Sequence, residues 1–173
     1  ADAVTVDGSN VGIGTSSPSA PLTVKAPADA EAIHVVGRSD DIGQIKFLEA
    51  DGTTALGRID ARNSSFSIAS IANIPLQFAT NNSERMRIDS SGSLLVGTTV
   101  STPVSSNVQG ISFRGEYGEV QISSEGSTGA PLYLNRKSTD GAIAVFRKDG
   151  SDVGSIGTLS GVTYYAHSNG DGF

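Results

Sequence analysis

Glycine or proline interrupts nearly every stretch of this sequence, and that interruption decides what the chain can fold into. Only residues 58–74 and 76–91 run long without either residue. A helix interior tolerates neither well: glycine costs about 1 kcal/mol and proline about 3 kcal/mol relative to alanine. The first uninterrupted run holds Phe66-Ser67-Ile68-Ala69-Ser70-Ile71, serine-rich and alternating at its start, which favours strand over helix. In the second, Leu76-Gln77-Phe78 and Met86-Arg87-Ile88 alternate apolar and polar residues, the period of a half-buried strand. Asn81-Asn82-Ser83 between them is turn chemistry. The expected fold is all-β.

One grammar recurs along the chain. Ile45–Leu48 leads through Asp51-Gly52 to Leu56–Ile59, and Met86–Ile88 leads through Asp89–Gly92 to Leu94–Val96. Ile143–Phe146 leads through Asp149-Gly150 to Val153–Ile156. Asp and Gly suit backbone positions with φ > 0, which is why they close β-hairpins. A longer repeat overlies this one. Val11-Gly12-Ile13-Gly14-Thr15 returns as Leu95-Val96-Gly97-Thr98-Thr99, aligned Gly12 on Gly97, and the stretch around Asp51-Gly52 returns around Asp149-Gly150. Two tandem β modules, 1–91 and 92–173, are expected, the second with an insertion around Arg114–Gly129.

Composition sharpens the class. Glycine numbers 21 of 173 residues, against a usual ~7 %, yet the regular short apolar bursts argue for order rather than disorder. The net charge of −6 and scattered Lys and Arg exclude a basic nucleic-acid-binding face. No apolar run approaches the ~20 residues of a membrane-spanning helix, so no membrane insertion is expected. Ala1-Asp2-Ala3 shows no signal-peptide pattern, which leaves targeting unread. With no cysteine there is no disulfide and no thiol catalysis. Short strands leave sheet edges unpaired, and aromatic residues at 6 % supply few large side chains for a core. Several chains interdigitating around an axis would cover the edges and pool the small apolar residues; a self-contained monomeric sandwich is the alternative.

Two stretches resemble a known family. Asn10-Val-Gly-Ile-Gly-Thr-Ser-Ser-Pro18-Ser-Ala-Pro-Leu22-Thr-Val24 is similar to a phrase common in bacteriophage tail-fibre proteins. Pro75-Leu-Gln-Phe-Ala-Thr-Asn-Asn-Ser-Glu-Arg85-Met-Arg-Ile-Asp-Ser-Ser-Gly92 resembles the stretch that often precedes such a phrase, and here it runs into Leu94–Thr99. Together they cover about a quarter of the chain. The resemblance implies an elongated, intertwined homotrimeric shaft, often upstream of a self-cleaving intramolecular chaperone of the endosialidase type that drives trimerisation and departs. On that implication the chain, which stops at Asn169–Phe173, is a fragment or the mature product. Within the first phrase, alternating glycine lets backbones approach closely while Val11 and Ile13 point inward. Pro18 and Pro21 hold an extended path.

A search for chemistry returns little. The glycine-rich stretches 8–14 and 92–97 precede no helix and no Gly-Lys-Ser/Thr, so a phosphate-cradling loop is not expected. There is no Gly-x-Ser-x-Gly elbow, and nothing beyond the presence of Ser, His and Asp supports a triad. Asp40-Asp41 and Glu116/Glu119 are the candidate carboxylate pairs for a glycosidase, but Asp40-Asp41 sits by a turn and no Trp is present to form a sugar platform. His34, in the apolar strand Ala32–Val36, is the candidate for a three-fold metal site, against the blander reading of a hydrogen-bonded histidine. Asp149-Gly-Ser-Asp152 has only part of a calcium loop. Tyr164, Tyr165 and His167 could stack on and hydrogen-bond to a host surface glycan; the plainer reading is a final strand with Tyr164 packed inward.

The sequence therefore favours a non-enzymatic fibre segment of the virion. No cofactor, metal or catalytic residue is expected. Its partners would be copies of itself, other virion fibre or baseplate proteins and a receptor-binding element. A glycan-binding tip and a non-viral extracellular filament or adhesin are the alternatives. Val11, Ile13, Leu22, Val24, Phe78, Ile88, Leu94 and Val96 are the expected shared core. Ile13→Asp is expected to abolish self-assembly; a variant that sediments like the parent would remove Ile13 from that core.

Overall fold

A computed structural model describes residues 4–40, 42–126 and 129–167. These residues form strands, turns and irregular backbone, with no helix among them. The expected all-β class is observed. Asp41 and the terminal stretch Asn169–Phe173 lie outside the described residues. The chain divides into two compact units, Ala1–Leu76 and Gln77–Phe173. Residues 91 and 92, between which the sequence reading divides the chain, sit in a turn joining two paired strands.

The first unit holds two three-stranded sheets. Strands β1 (Val4–Asp7) and β2 (Asn10–Ile13) form a hairpin, and β3 (Leu22–Val24) pairs parallel to β2. Parallel strands usually need a crossover of a dozen or more residues. Here residues 14–21 suffice, because Pro18 is buried and Val11 N–H donates to the Pro21 carbonyl at 2.9 Å. The second sheet is an antiparallel meander of β4 (Gly43–Leu48), β5 (Ala55–Arg62) and β6 (Ser65–Ser70). The β4–β5 connection is closed by Asp51, whose carboxylate accepts from Thr53 N–H at 2.8 Å, Thr54 N–H at 2.9 Å and the Thr54 hydroxyl at 2.5 Å.

The second unit begins within β7 (Leu76–Thr80), followed by β8 (Ser83–Ile88), β9 (Leu94–Val96), β10 (Gly110–Arg114) and β11 (Glu119–Ser123). These five strands form one sheet in sequential order. Asn81 and Asn82 turn β7 into β8 with φ of 51° and 55°, the left-handed pair of a tight hairpin. Asp89 closes the next turn as Asp51 does, accepting from Ser91 and Ser93 N–H. The expected insertion holds the β10–β11 turn and β11. A second three-stranded meander follows, built of β12 (Gly141–Lys148), β13 (Ser151–Leu159) and β14 (Val162–His167).

All three expected hairpins form. The internal repeat is also visible in three dimensions, with one correction. Gly14, not Gly12, corresponds to Gly97: both have positive φ, 73° and 67°, and both end a strand. Each is followed by a threonine whose hydroxyl accepts the N–H two residues on, Thr15 from Ser17 and Thr98 from Val100. The two meanders agree in pairing as well. Phe47 faces Gly57 and Ile45 faces Ile59 in the first; Phe146 faces Gly154 and Ala144 faces Ile156 in the second.

One expected strand is absent. Ala32–Val36 is without regular structure and exposed throughout. Its apolar, β-branched pattern is that of a strand, but a strand needs a hydrogen-bonded neighbour, and none pairs with it among the described residues.

Gly14 and Gly8 separate two reasons for a glycine. Gly8 has φ of 61° with open space around it, whereas a Cβ on Gly14 would lie 2.2 Å from the Lys25 carbonyl oxygen. Gly8→Ala is expected to cost about 1 kcal/mol by chemical denaturation, and Gly14→Ala at least about twice that. Equal losses would show that the Gly14–Lys25 approach relaxes freely.

Candidate assembly interface

Residues that face each other across paired strands share a sheet face, and so do alternate residues along a strand. In the β1–β3 sheet, Val4, Val6, Val11, Ile13, Leu22 and Val24 therefore lie on one face. In the β4–β6 meander the equivalent set is Ile45, Phe47, Ile59, Phe66 and Ile68. In the five-stranded sheet it is Ile88, Leu94, Val96, Ile111, Phe113 and Val120. Each is a continuous apolar face. None is covered. Val6 is 71 % exposed, Phe66 70 % and Val120 57 %. Among the described residues the buried large apolar side chains reduce to Leu95.

The opposite faces are provided for within the chain. Gly12 on the reverse of β2 is buried beside the 14–21 crossover, where a Cβ would stand 2.4 Å from the Thr15 carbonyl oxygen. Leu95 and Ser112, paired on the reverse of the five-stranded sheet, are wholly buried. The 98–108 loop is fastened there: Ser112 Oγ donates to the Ser101 carbonyl at 2.8 Å, and Val104 N–H donates to Gln121 Oε1 at 3.1 Å. On the reverse of β5, the sequence Arg58-Ile59-Asp60-Ala61-Arg62 alternates charge with apolar residues. Arg58 Nε donates to Asp60 Oδ1 at 2.7 Å, Arg62 Nε to Oδ2 at 3.0 Å, and Ser67 Oγ to Oδ1 at 2.9 Å. Asp60 is only 2 % exposed. Arg62, then Arg58 and Ser67, hold its carboxyl down at a pKa of about 2, against the opposing effect of burial.

Seven of the eight expected core residues thus fall on these open faces: Val11, Ile13, Leu22 and Val24 together, and Ile88, Leu94 and Val96 together. The eighth, Phe78 on β7, is 44 % exposed. None of the eight is buried by its own chain. The expectation missed the β4–β6 face and the Asp60 cluster, although the alternation in Arg58–Arg62 was readable once β5 was taken as a strand.

The candidate ligand residues are dispersed. Tyr164 pairs with Gly157 and Tyr165 with Ile156, so the two tyrosines point to opposite faces of β14; Tyr165 is 58 % exposed, and His167 shares its face. Tyr164 is half-buried. His34 is exposed, with Nε2 3.5 Å from Glu31 Oε2, and lies outside any strand. Asp40 is held by Arg38 at 2.6 Å, which lowers its pKa, while its expected partner Asp41 lies outside the described residues. Glu119 pairs with Arg114 at 3.0 Å and Gln121 donates to it, whereas Glu116 is exposed. Asp152 pairs with Arg147 at 2.6 Å, and Asp149 with Lys148 at 3.3 Å. No group of three or more metal-ligating side chains forms among the described residues.

No protein-family model, curated protein or solved structure matches this chain.

The Asp60 cluster has a pH signature. A carboxylate whose folded pKa lies below its usual value near 4 stabilises the fold above pH 4 and loses that contribution as pH falls toward 2. Asp60→Asn is expected to lower the melting temperature at pH 7 and to converge on the parent between pH 4 and pH 2. Parallel pH profiles would show that Asp60 ionisation contributes nothing to stability.

Proposed function

We propose that this chain is a structural, non-enzymatic segment of a bacteriophage tail fibre. In this reading it is a homotrimeric, elongated β-shaft, located in the virion, that joins other fibre or baseplate proteins and projects a receptor-binding element. The observation that carries the reading is the set of open apolar sheet faces in a chain whose own fold buries almost no apolar side chain. The chain exposes 12893 Å². A compact monomer of its mass would expose about 8,000 Å², and two separate globules of the units' sizes about 9,600 Å². The surplus of roughly 3,000–5,000 Å² per chain far exceeds the ~800 Å² per partner of a standard complex and reaches the scale of obligate assemblies, which bury upward of ~1,000 Å² per partner.

Energy points the same way. Full burial of each exposed Val, Ile, Leu or Phe is worth about 1.5–3 kcal/mol, so covering one face of five such residues rivals the whole stability of an ordinary domain, ~5–15 kcal/mol. Copies of the same chain are suitable covers, since each brings matching faces. The trimer number, the elongated shape and the viral setting come from the resemblance of residues 10–24 and 75–92 to tail-fibre phrases. The function is mechanical: a stiff spacer whose strength is the shared core. A receptor-binding role has one specific observation in its favour, the exposed Tyr165 on the same face as His167.

Sedimentation velocity on the native protein tests the reading. A mass near three times 17.7 kDa with a high frictional ratio is expected. A compact monomer would overturn it. Glycan-array binding that disappears with Tyr165→Ala would transfer the function to the receptor-binding role.

A further inference from the structure

Two segments of the chain look like strands, and neither pairs with another strand among the described residues. Residues 32–36 read Ala-Ile-His-Val-Val, and residues 131–135 read Pro-Leu-Tyr-Leu-Asn. Both are rich in β-branched, aromatic or aliphatic residues, the composition of strands rather than of solvated linkers. Yet neither has regular structure, and no backbone–backbone hydrogen bond involves them among the described residues. Their side chains stand in water: Ile33 is 64 % exposed, Val36 84 %, Leu132 56 % and Tyr133 75 %.

The two segments occupy the same place in the internal repeat. Each ends at an arginine, Arg38 or Arg136, that fastens a short corner, and each corner delivers the chain to the first residue of a meander, Gly43 or Gly141. Arg38 N–H donates to the Ile42 carbonyl at 3.2 Å and its guanidinium grips Asp40. Arg136 donates to the Thr139 carbonyl at 3.0 Å and to the Ala142 carbonyl at 3.3 Å. Both first residues are glycines lying under what precedes them. A Cβ on Gly43 would stand 3.0 Å from the Val35 carbonyl oxygen, and one on Gly141 would stand 2.9 Å from the Arg136 guanidinium carbon. The corners are thus built, while the segments they anchor are left unpaired. In the first unit, Val35 lines a hollow with Ile45, Ile59 and Phe66, which places the segment on the side of the open apolar face.

We infer that residues 32–36 and 132–135 are strands that complete their ladders in trans, each pairing with an edge strand of the matching meander in a neighbouring copy of this chain. The meanders offer such edges. The outer side of β6 makes no backbone hydrogen bond among the described residues, nor does that of β14 over 162–166. The start of β12 is less open, because Arg136 already occupies the Ala142 carbonyl. Donating a strand to the next copy would satisfy the unpaired backbone of both partners and carry Ile33, Val35, Leu132 and Leu134 into the assembly.

This inference rests on the self-assembly proposed above, and amide hydrogen exchange on the native assembly separates the two. With oligomeric mass confirmed by sedimentation, amides in 32–36 and 132–135 are expected to exchange at least about 100-fold more slowly than in unstructured chain. An oligomer in which both segments exchange freely would overturn the trans strands and leave the assembly standing. A monomer would overturn both. Tyr133→Pro removes one ladder donor. It is expected to release the amides at 132, 134 and 135 while β12 and β13 keep theirs. Undiminished protection at those positions would mean burial without pairing and would also overturn the inference.

Discussion

A β-sheet has two faces, and water tolerates an apolar one poorly; everything else in this chain follows from how its two faces are treated. One face of each sheet in question is closed with local means. A short crossover buries Pro18 and brings Thr15 against Gly12, the 98–108 loop is bonded over Ser112 and Leu95, and two arginines fold onto Asp60. The other face collects valine, isoleucine, leucine and phenylalanine and receives no cover. Exposed apolar residues scattered singly are ordinary on protein surfaces, but contiguous sets on successive sheets are not. The division of labour is consistent: what a few neighbouring residues can close is closed, and what needs a second layer is left open.

That division explains which parts of the fold were legible in the sequence. Hairpins are local. Asp51-Gly52 and Asp89–Gly92 settle their turns through side-chain hydrogen bonds and a positive-φ glycine, Asn81-Asn82 and Asp149-Gly150 through positive φ at both residues, and the flanking strands follow by alternation. The apolar faces were also legible, because period-two alternation fixes sidedness without reference to any distant residue. Pairing between segments far apart, or between chains, leaves no such mark. Ala32–Val36 has the residues of a strand, and its sequence says nothing of whether a neighbour exists to receive it. The misplaced Gly12–Gly97 equivalence has the same origin. Glycine serves close approach alone at Gly12 and left-handed backbone as well at Gly14, and the letter alone does not tell the two apart.

The Asp60 cluster shows the reverse case, a feature present in the sequence pattern and easy to pass over. Charged residues at alternate positions of a strand face each other's side chains on one surface, so Arg58, Asp60 and Arg62 were bound to meet. Their effect is to make the back of the first meander decidedly polar, which marks its Ile59 face as the inward one. The second meander has no such cluster. Ser155 and Gly157 stand where Arg58 and Asp60 would be, and apolar residues occur on both of its faces, Phe146 and Ile156 on one, Val145 and Tyr164 on the other. Repeated backbone pairing with altered faces is how a repeat can keep one architecture while meeting different surroundings.

In the proposed assembly, a chain built in this way has little reason to fold before its copies meet. Its strands are short, its core is almost absent, and the conformational entropy of fixing a residue, ~1–2 kcal/mol, must be offset by apolar burial that the single copy does not provide. The isolated chain would also present long apolar faces and open strand edges together, the combination most prone to irregular association. Glycine-rich turns and buried prolines limit that hazard by fixing each sheet's register locally. In the proposed trimer, folding and association would be one event, and stability would be a property of the interface rather than of any chain within it.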